Sequence, residues 1–305
     1  MYKVFIDGSA GTTGLKIFDR LSKRADIQLI TLPDEQRKDI AAREQAINAA
    51  DVVFLCLPDQ AAIEAVSLVK NEHVKIIDTS TAHRTNSEWT YGFAELGLKE
   101  KIASSKWIAN PGCHASGFIA LVKPLVEKGL LNKDVKLTCF SLTGYTGGGK
   151  KMIEGYESDE RSSLLDAPRQ YALTQNHKHL PEMSKITGLT NLPIFCPIVS
   201  DYARGMEVTV PLFATDVNGT VDDVKKTLKE YYTGKIVRYI DESEEGFLSA
   251  NALDGKDSMQ ISVFGNEDRI LLVARFDNLG KGASGAAIQN MNILLGVDET
   301  LGLDL

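Results

Sequence analysis

Short apolar runs alternate with helical segments over the first hundred residues. The runs are rich in β-branched residues and predict strands at 2–7, 27–31, 52–58, 75–80 and 106–109. Between them, apolar residues recur on one helical face over 13–24 and 59–70. Strands that alternate with helices predict right-handed βαβ crossovers and a buried parallel sheet, an α/β architecture.

The pattern changes after about residue 112. Residues 113–129 predict a helix that ends at a glycine cap, and 283–296 predict a last helix. Longer strands are predicted at 135–145, 206–213, 259–266 and 269–277. Several of them alternate in polarity, which is typical of antiparallel strands with one covered face. The second part of the chain is therefore predicted to be built on mostly antiparallel strands.

Length and charge narrow the class of protein. The chain has 305 residues, which suits two domains, and a net charge of −7, which argues against a nucleic-acid binder. No apolar run approaches the ~20 residues that span a bilayer, so no membrane partner is expected. The first strand runs directly into a motif, so no signal peptide is expected. No two of the four cysteines have CxxC spacing, so we expect no structural metal and a reduced, cytoplasmic location.

A glycine-rich loop follows the first predicted strand. Its GxxGxxG spacing lets the backbone approach a pyrophosphate, and the N-terminus of the following helix offers unpaired N–H groups. A plain βα turn is the alternative. The predicted phosphate-binding residues of a dinucleotide cofactor are Gly8, Ser9, Ala10, Gly11, Thr12, Thr13 and Gly14.

Further cofactor contacts are expected after the second strand and near the last helix. Arg37 and Lys38 are suited to a 2′-phosphate and favour NADP, although they are equally explained as solvated loop charges. Ser80 ends a predicted strand. Asn278 and Gly282 lie in a segment of small residues that permits close approach to a flat ring, or else simply permits helix packing.

Cys113 differs from the other three cysteines. Cys56, Cys139 and Cys196 lie among apolar residues and are predicted to be inert. Cys113 follows Gly112 at the start of a predicted helix, where the helix dipole lowers a thiol pKa. Cys113 is therefore the candidate nucleophile.

The segment before Pro181 holds two of the five histidines. Pro181 predicts a helix that begins near Leu180, with Glu182 in its first turn. His177 or His179 could exchange protons with a catalytic thiol, and Glu182 is placed to orient an imidazole ring. A metal site and a solvated polar loop are the alternatives.

A second glycine-rich segment is a candidate anion site. Gly147, Gly148 and Lys150 follow a predicted strand, and their loop is suited to hold phosphate. Arg204 is suited to clamp a carboxylate or phosphate with two hydrogen bonds. A flexible turn and a surface ion pair are the respective alternatives.

Five motifs in a fixed order resemble the shorter form of the N-acetyl-γ-glutamyl-phosphate reductase family of arginine biosynthesis, which is related to the aspartate-semialdehyde dehydrogenases. They are GSAGTTG near the N-terminus, NPGCHA at 110–115, GYTGGGKK at 144–151, HKHLPE at 177–182 and DNLGKGASGAAIQNMN at 277–292. The resemblance implies a Rossmann domain for NADP(H) at 1–112 and 283–305, and an α+β catalytic and subunit-contact domain at 113–282. It also implies a homodimer or homotetramer.

The resemblance further implies roles for individual residues. Cys113 matches the nucleophile that attacks an acyl phosphate, and His179 matches the general acid/base. The Cys113 N–H and the Asn110 side chain are the expected oxyanion donors. One departure concerns the segment from Thr146 to Gly149, where the longer form of the family reads Ser-Gly-Ala-Gly.

Three other functions fit parts of the sequence. An aspartate-semialdehyde-type dehydrogenase would share the motifs, and an NADP-sensing protein without chemistry would share only the first. A short-chain dehydrogenase needs Tyr-xxx-Lys on a helix. Tyr231 and Lys235 have that spacing, but Gly234 argues against a helix there.

Overall fold

The computed structural model describes all 305 residues, which form two compact units. The first unit comprises residues 1–111 and 283–303, and the second comprises residues 112–282 and 304–305. The junction between them falls directly before Gly112. No helix is long and apolar enough to cross a membrane.

The first unit is a six-stranded, wholly parallel sheet with the strand order β2-β1-β3-β4-β6-β5. Its strands are β1 (Tyr2–Asp7), β2 (Ile27–Ile30), β3 (Val52–Leu55), β4 (Lys75–Asp78), β5 (Thr90–Tyr91) and β6 (Trp107–Ala109). Its helices are α1 (Thr12–Leu21), α2 (Ile40–Ala49), α3 (Asp59–Ser67), α4 (Lys99–Ser104) and α9 (Gly285–Leu295). The expected Rossmann-type parallel sheet is confirmed.

Two sequence features explain where the first unit departs from the predicted elements. β3 ends at Leu55 rather than at 58, because Pro58 cannot donate to the sheet and instead precedes α3. The sequence pattern missed α2, which carries no apolar stripe. The residues that α2 buries include Arg43, a charged side chain that periodicity assigns to the surface.

The second unit is built on a seven-stranded sheet with the strand order β11-β12-β13-β10-β7-β9-β8. Its strands are β7 (Thr138–Gly144), β8 (Arg169–Gln170), β9 (Ile194–Ser200), β10 (Met206–Phe213), β11 (Val237–Tyr239), β12 (Met259–Gly265) and β13 (Arg269–Phe276). Its helices are α5 (Cys113–Glu127), α6 (Lys150–Glu157), α7 (Leu180–Thr187) and α8 (Val221–Tyr231). Only the β7–β9 and β11–β12 pairs are parallel, so the predicted mostly antiparallel sheet is confirmed.

The central helix α5 is packed closely against this sheet. Eleven of its fifteen residues are buried. A Cβ placed on Gly117 would lie 2.5 Å from Val208 Cγ2 and 2.9 Å from Phe276 Cε1, so only glycine fits this crossing. Pro124 lies inside the helix and has no N–H for the Ala120 carbonyl. The Tyr232 hydroxyl donates to that carbonyl at 2.8 Å instead, so this buried acceptor has a partner.

Helices cover only one of the two faces of the second sheet. One face packs against α5 and α8, and it is buried. The other face, here called the outer face, carries no helix of this unit over several apolar residues. These are Phe140, Ile194, Phe213 and Leu271, which are 40%, 59%, 65% and 42% exposed.

Alanine at Gly117 should destabilise the fold, whereas alanine at Gly155 should stabilise it. Both positions are helical, so both substitutions gain about 0.5–1 kcal/mol of helix propensity. Gly155 faces open space, but Gly117 meets the sheet, and overpacking there costs about 1–3 kcal/mol. Denaturant unfolding of the two variants measures the difference. Equal stability of both would show that α5 can move away from the sheet.

Candidate active site

The glycine loop between β1 and α1 has the backbone that the sequence predicted for a phosphate cradle. Gly8 has φ +89°, a left-handed conformation, and its Cα faces the Cys56 carbonyl so closely that a Cβ would overlap it. A Cβ on Gly14 would overlap the Gly8 carbonyl. Gly11 is the N-cap of α1, and Thr12 and Thr13 are its first residues. These constraints leave the N–H groups at the start of α1 without a side-chain cap, which is the arrangement that binds phosphate.

A cavity of about 570 Å³ opens beside this loop, and its lining includes Ser9, Ala10, Arg37 and Lys38. Arg37 is half exposed and pairs with Asp34 at 2.7 Å, so its guanidinium is near the cavity but shared with a surface carboxylate. Both predicted 2′-phosphate contacts therefore line the same cavity as the glycine loop.

A buried ion pair, which the sequence did not reveal, lies in the lining of this cavity. Arg43 on α2 donates through Nε and Nη2 to Asp7 Oδ2, at 3.0 and 2.9 Å. Burial raises the pKa of Asp7, and the Arg43 guanidinium offsets part of this effect. Nη1 of Arg43 reaches Glu64 on α3 at 3.3 Å, so one side chain ties α2 and α3 to the end of β1.

Ser80 and Asn110 have buried side chains that the first unit already uses. Ser80 Oγ donates to Asp78 Oδ2 at 2.8 Å, which favours a structural role over the predicted cofactor contact. Asn110 Nδ2 donates to the Ala283 carbonyl at 3.1 Å, and Oδ1 accepts from Asn290 Nδ2 at 3.1 Å. These two bonds anchor Asn110 within the first unit. Its expected donation to an oxyanion stays a prediction, because the amide nitrogen carries two hydrogens.

Cys113 is the first residue of α5, and its side chain is partly exposed. The N-cap residue Gly112 has no side chain, so no side-chain cap covers the start of the helix at Cys113. Gly282 lies against Cys113, since a Cβ on Gly282 would be 3.1 Å from the Cys113 Cβ. The predicted cofactor residue Gly282 thus makes space at the thiol.

Two of the other thiols, Cys56 and Cys139, are unsuited to nucleophilic chemistry. Burial raises the pKa of Cys56 to about 12 and raises that of Cys139 further. Cys196 is partly exposed on the second sheet.

Glu182 is buried in the first turn of α7, as the sequence predicted. Its Oε1 accepts the Gly112 N–H at 2.8 Å. The expected role was to orient a histidine ring. This hydrogen bond connects α7 to the residue before Cys113, so Glu182 positions the start of α5. Its role in orienting a histidine ring stays a prediction.

The two predicted histidines lie together beside Glu182. The His179 N–H donates to His177 Nδ1 at 3.2 Å, and the two ring centroids are 4.8 Å apart. Burial and the nearby Lys178 lower the pKa of His177. His179 is buried and is the N-cap residue of α7.

A third imidazole, which sequence reasoning did not single out, completes a cluster around His179. His114 follows Cys113 on α5, and its ring centroid is 5.6 Å from that of His179. His114 Nδ1 is 2.7 Å from Ser141 Oγ on β7, and Nε2 is 2.7 Å from Tyr171 Oη. Burial lowers the pKa of His114 to about 3, so the ring is neutral. The only sequence signal was its position next to Cys113.

The side chain of Asn278 holds the second glycine-rich loop, at 144–149, by hydrogen bonds. Asn278 Oδ1 accepts the Gly205 N–H at 2.9 Å, and Nδ2 donates to Thr146 Oγ1 at 3.0 Å. This favours a structural role for Asn278 over the predicted cofactor contact, because the buried amide is used within the second unit. Gly147 and Gly148 remain exposed in the fastened loop.

Two charged residues predicted to hold an anion have different surroundings. Lys150 is exposed at the first residue of α6, directly after the loop. Arg204 pairs with Asp254 at 2.7 Å and lies 3.8 Å from Asp277, which partly neutralises its guanidinium. The structure therefore favours Lys150 over Arg204 as the available positive charge at this loop.

Known proteins share the sequence and the fold of this chain. Residues 3–105 match the semialdehyde dehydrogenase NAD binding domain, and residues 113–278 match the semialdehyde dehydrogenase dimerisation domain. An N-acetyl-gamma-glutamyl-phosphate reductase 2 of Nostoc sp. is 44% identical, over 99% of each chain. The reductase of Brucella ovis is 46% identical, over 96% of this chain and 99% of that one. The structure of aspartate semialdehyde dehydrogenase with NADP from Candida albicans shares the fold, with a TM-score of 0.68 and 16% identity over 97% of this chain and 99% of that one.

Replacing Glu182 with alanine should lower the free energy of unfolding by about 1–3 kcal/mol, because the buried Gly112 N–H then loses its acceptor. Glutamine has the same length and retains an acceptor oxygen, so Glu182→Gln should lower the free energy of unfolding clearly less. Denaturant titrations of both variants test this. Equal losses would mean that the carboxylate charge, and not the hydrogen bond, holds the start of α5.

Proposed function

Because the chain belongs to the N-acetyl-γ-glutamyl-phosphate reductase family, we propose that its NADPH-dependent reduction of N-acetyl-γ-glutamyl phosphate proceeds through a thioester on Cys113. The products are N-acetyl-L-glutamate 5-semialdehyde and phosphate, a step of arginine biosynthesis. The observation that carries the mechanism is the partly exposed thiol at the uncapped start of α5.

In the first half-reaction, the Cys113 thiolate attacks the acyl carbon of the substrate. The negative charge that develops on the acyl oxygen is stabilised by the backbone N–H groups at the start of α5. The C–O bond to phosphate then breaks, and inorganic phosphate leaves with the bonding electrons. The exposed residues Gly147, Gly148 and Lys150 are placed in a fastened loop that suits the departing anion.

In the second half-reaction, the C–S bond of the thioester breaks and the aldehyde forms. NADPH, when bound, supplies the hydride that reduces the acyl carbon. Cys113 leaves as a thiolate and takes up a proton from His179. The same imidazole takes that proton back before Cys113 attacks the next substrate molecule. Glu182 supports this step indirectly, since its bond to Gly112 fixes the start of the helix that carries the sulfur.

The residues of the first unit fit an NADP cofactor. The glycine loop would hold the pyrophosphate, because its N–H groups at the start of α1 carry no side-chain cap. Arg37 and Lys38 would hold the 2′-phosphate at the cavity that both residues line. Residues 1–112 and 283–305 would then form the cofactor domain, and residues 113–282 the catalytic domain. A reactive thiol also needs a reducing compartment, which supports a cytoplasmic location.

The rival substrate, aspartate semialdehyde, is disfavoured. The relatives named for the acetylglutamyl substrate are 44–46% identical, whereas the aspartate-semialdehyde dehydrogenase structures are 14–16% identical. That second likeness supports the fold alone.

The outer face of the second sheet supports a homo-oligomer, with a second copy of this chain as its occupant. The segment that matches a dimerisation domain contains the whole of this face. Phe140 and Leu271 on its central strands are 40% and 42% exposed, although sheet residues of this size are ordinarily covered. A homodimer formed through this face, or a homotetramer built from such dimers, would bury them.

Substitution of Cys113 by serine should abolish NADPH formation from N-acetylglutamate semialdehyde, NADP and phosphate. Loss of a covalent nucleophile lowers kcat by at least about 1,000-fold. Affinity for NADP, measured by fluorescence titration, should be unchanged, because the predicted cofactor loop lies in the first unit.

Cys196→Ser is the matched control. It removes a partly exposed thiol from β9, on the outer face beside Phe140, and should keep the activity. Retained turnover in Cys113→Ser would remove the thioester from the mechanism. Replacement of N-acetylglutamate semialdehyde by aspartate semialdehyde in the same assay tests the substrate.

Phe140→Asp should convert the oligomer into smaller species in sedimentation velocity, because a buried carboxylate opposes assembly. Ile63→Asp is the control. Ile63 is 47% exposed on α3 and lies outside the outer face, so its replacement should leave the sedimentation coefficient unchanged. An unchanged assembly in Phe140→Asp would exclude the outer face as the interface.

A further inference from the structure

A chain of three polar side chains leads from the interior of the second sheet to the neighbourhood of Cys113. Ser141 Oγ, the His114 ring and Tyr171 Oη are joined by two hydrogen bonds of 2.7 Å. Ser141 is fully buried, His114 is 4% exposed, and Tyr171 is partly exposed. The chain therefore begins in a dry interior and ends where a ligand has access.

The direction of these hydrogen bonds follows from the needs of Ser141. Its hydroxyl proton is fully buried and has His114 Nδ1 as its hydrogen-bond partner, so donation to Nδ1 avoids an unsatisfied buried donor. A neutral imidazole that accepts at Nδ1 carries its proton on Nε2. The burial that lowers the pKa of His114 to about 3 keeps the ring in that neutral form. Nε2–H then donates to Tyr171 Oη.

This direction leaves the hydroxyl proton of Tyr171 for another acceptor. A hydroxyl that accepts from His114 still has its own O–H to donate. Burial, and to a smaller extent negative charge on Cys113, raises the pKa of Tyr171, so the phenol stays protonated during turnover. Tyr171 Oη lies 2.7 Å from the ring of His114, the residue that follows Cys113, so the phenol proton is available to a group bonded to the Cys113 sulfur.

We propose that Tyr171 is a further catalytic residue, whose O–H donates to the acyl oxygen of the substrate as that oxygen becomes negative during attack by Cys113. His114 and Ser141 are positioning residues, because they act on the substrate only through Tyr171. The proposal rests on the thioester mechanism given above. It adds a side-chain donor to the backbone N–H groups of α5, in the place where Asn110 was expected from the sequence.

Tyr171→Phe should lower kcat for semialdehyde oxidation by about 100-fold, with little change in KM, because the lost hydrogen bond forms only as charge develops. The rate of Cys113 alkylation by iodoacetamide should be unchanged, since the thiol itself needs no Tyr171. Tyr231→Phe is the matched control. It removes a partly buried phenol hydroxyl that bonds to Glu127 on another helix, and it should keep full activity.

Two substitutions of His114 separate positioning from packing. Glutamine places an amide N–H near the position of Nε2 and should rescue most of kcat, whereas asparagine reaches only the position of Nδ1 and should resemble Tyr171→Phe. The double variant His114→Asn with Tyr171→Phe should be no slower than Tyr171→Phe alone, because both substitutions act on the same hydrogen bond to the acyl oxygen.

The outcomes distinguish this inference from the proposed mechanism. Full kcat in Tyr171→Phe, together with an inactive Cys113→Ser, would overturn the role of Tyr171 and leave the thioester intact. An active Cys113→Ser would overturn both. Additive losses in the double variant would show that His114 acts on catalysis by another route than Tyr171.

Discussion

The close contact between α5 and the sheet of the second unit determines where the reactive groups lie. At Gly117 the helix lies so close to Val208 and Phe276 that a Cβ would overlap both side chains. Larger residues are therefore excluded there. A helix held at its middle can neither slide nor rotate, so its first residues are fixed as well. Cys113 and His114 occupy these first positions. The geometry of the thiol is thus determined by packing that begins four residues away.

Buried hydrogen bonds also hold two loop segments that helix packing alone would not fix. The Gly112 N–H bonds to Glu182, and the amide of Asn278 joins Thr146 to Gly205. Donor and acceptor of each bond lie inside the protein. Breaking the bond would therefore leave a buried polar group without a hydrogen-bond partner. Loops fastened in this way keep their N–H groups in place before any ligand arrives, which is what electrostatic preorganisation requires.

Features that depend on neighbours in the chain were predictable from the sequence. The glycine loop follows from three glycines after a strand, and the start of α7 follows from Pro181. Cys113 was distinguished by its position after Gly112, and its assignment as nucleophile stays a prediction. The parallel and mostly antiparallel sheets followed from two kinds of polarity pattern, since each strand carries its own signal.

Features that depend on distant residues were not predictable. The partners of His114 lie 27 and 57 residues away, and no spacing rule relates them. The same limit applies to Asn278, because the hydrogen-bond partners of its side chain lie 73 and 132 residues away in the chain. Small residues around it indicated close approach of another group, but the approaching group is a loop of the same unit. α2 was missed because its inward face includes Arg43, whose charge is neutralised by an aspartate on β1.

The neutrality of His114 matters for the proton chemistry assigned to His179. The two ring centroids are 5.6 Å apart, and a positive charge on His114 would oppose protonation of its neighbour. Burial removes this obstacle by lowering the pKa of His114 to about 3, and it also lowers that of His177. Among three imidazoles in contact, two are therefore biased towards the neutral form. A neutral His114 therefore places no positive charge beside His179, the N-cap residue of α7.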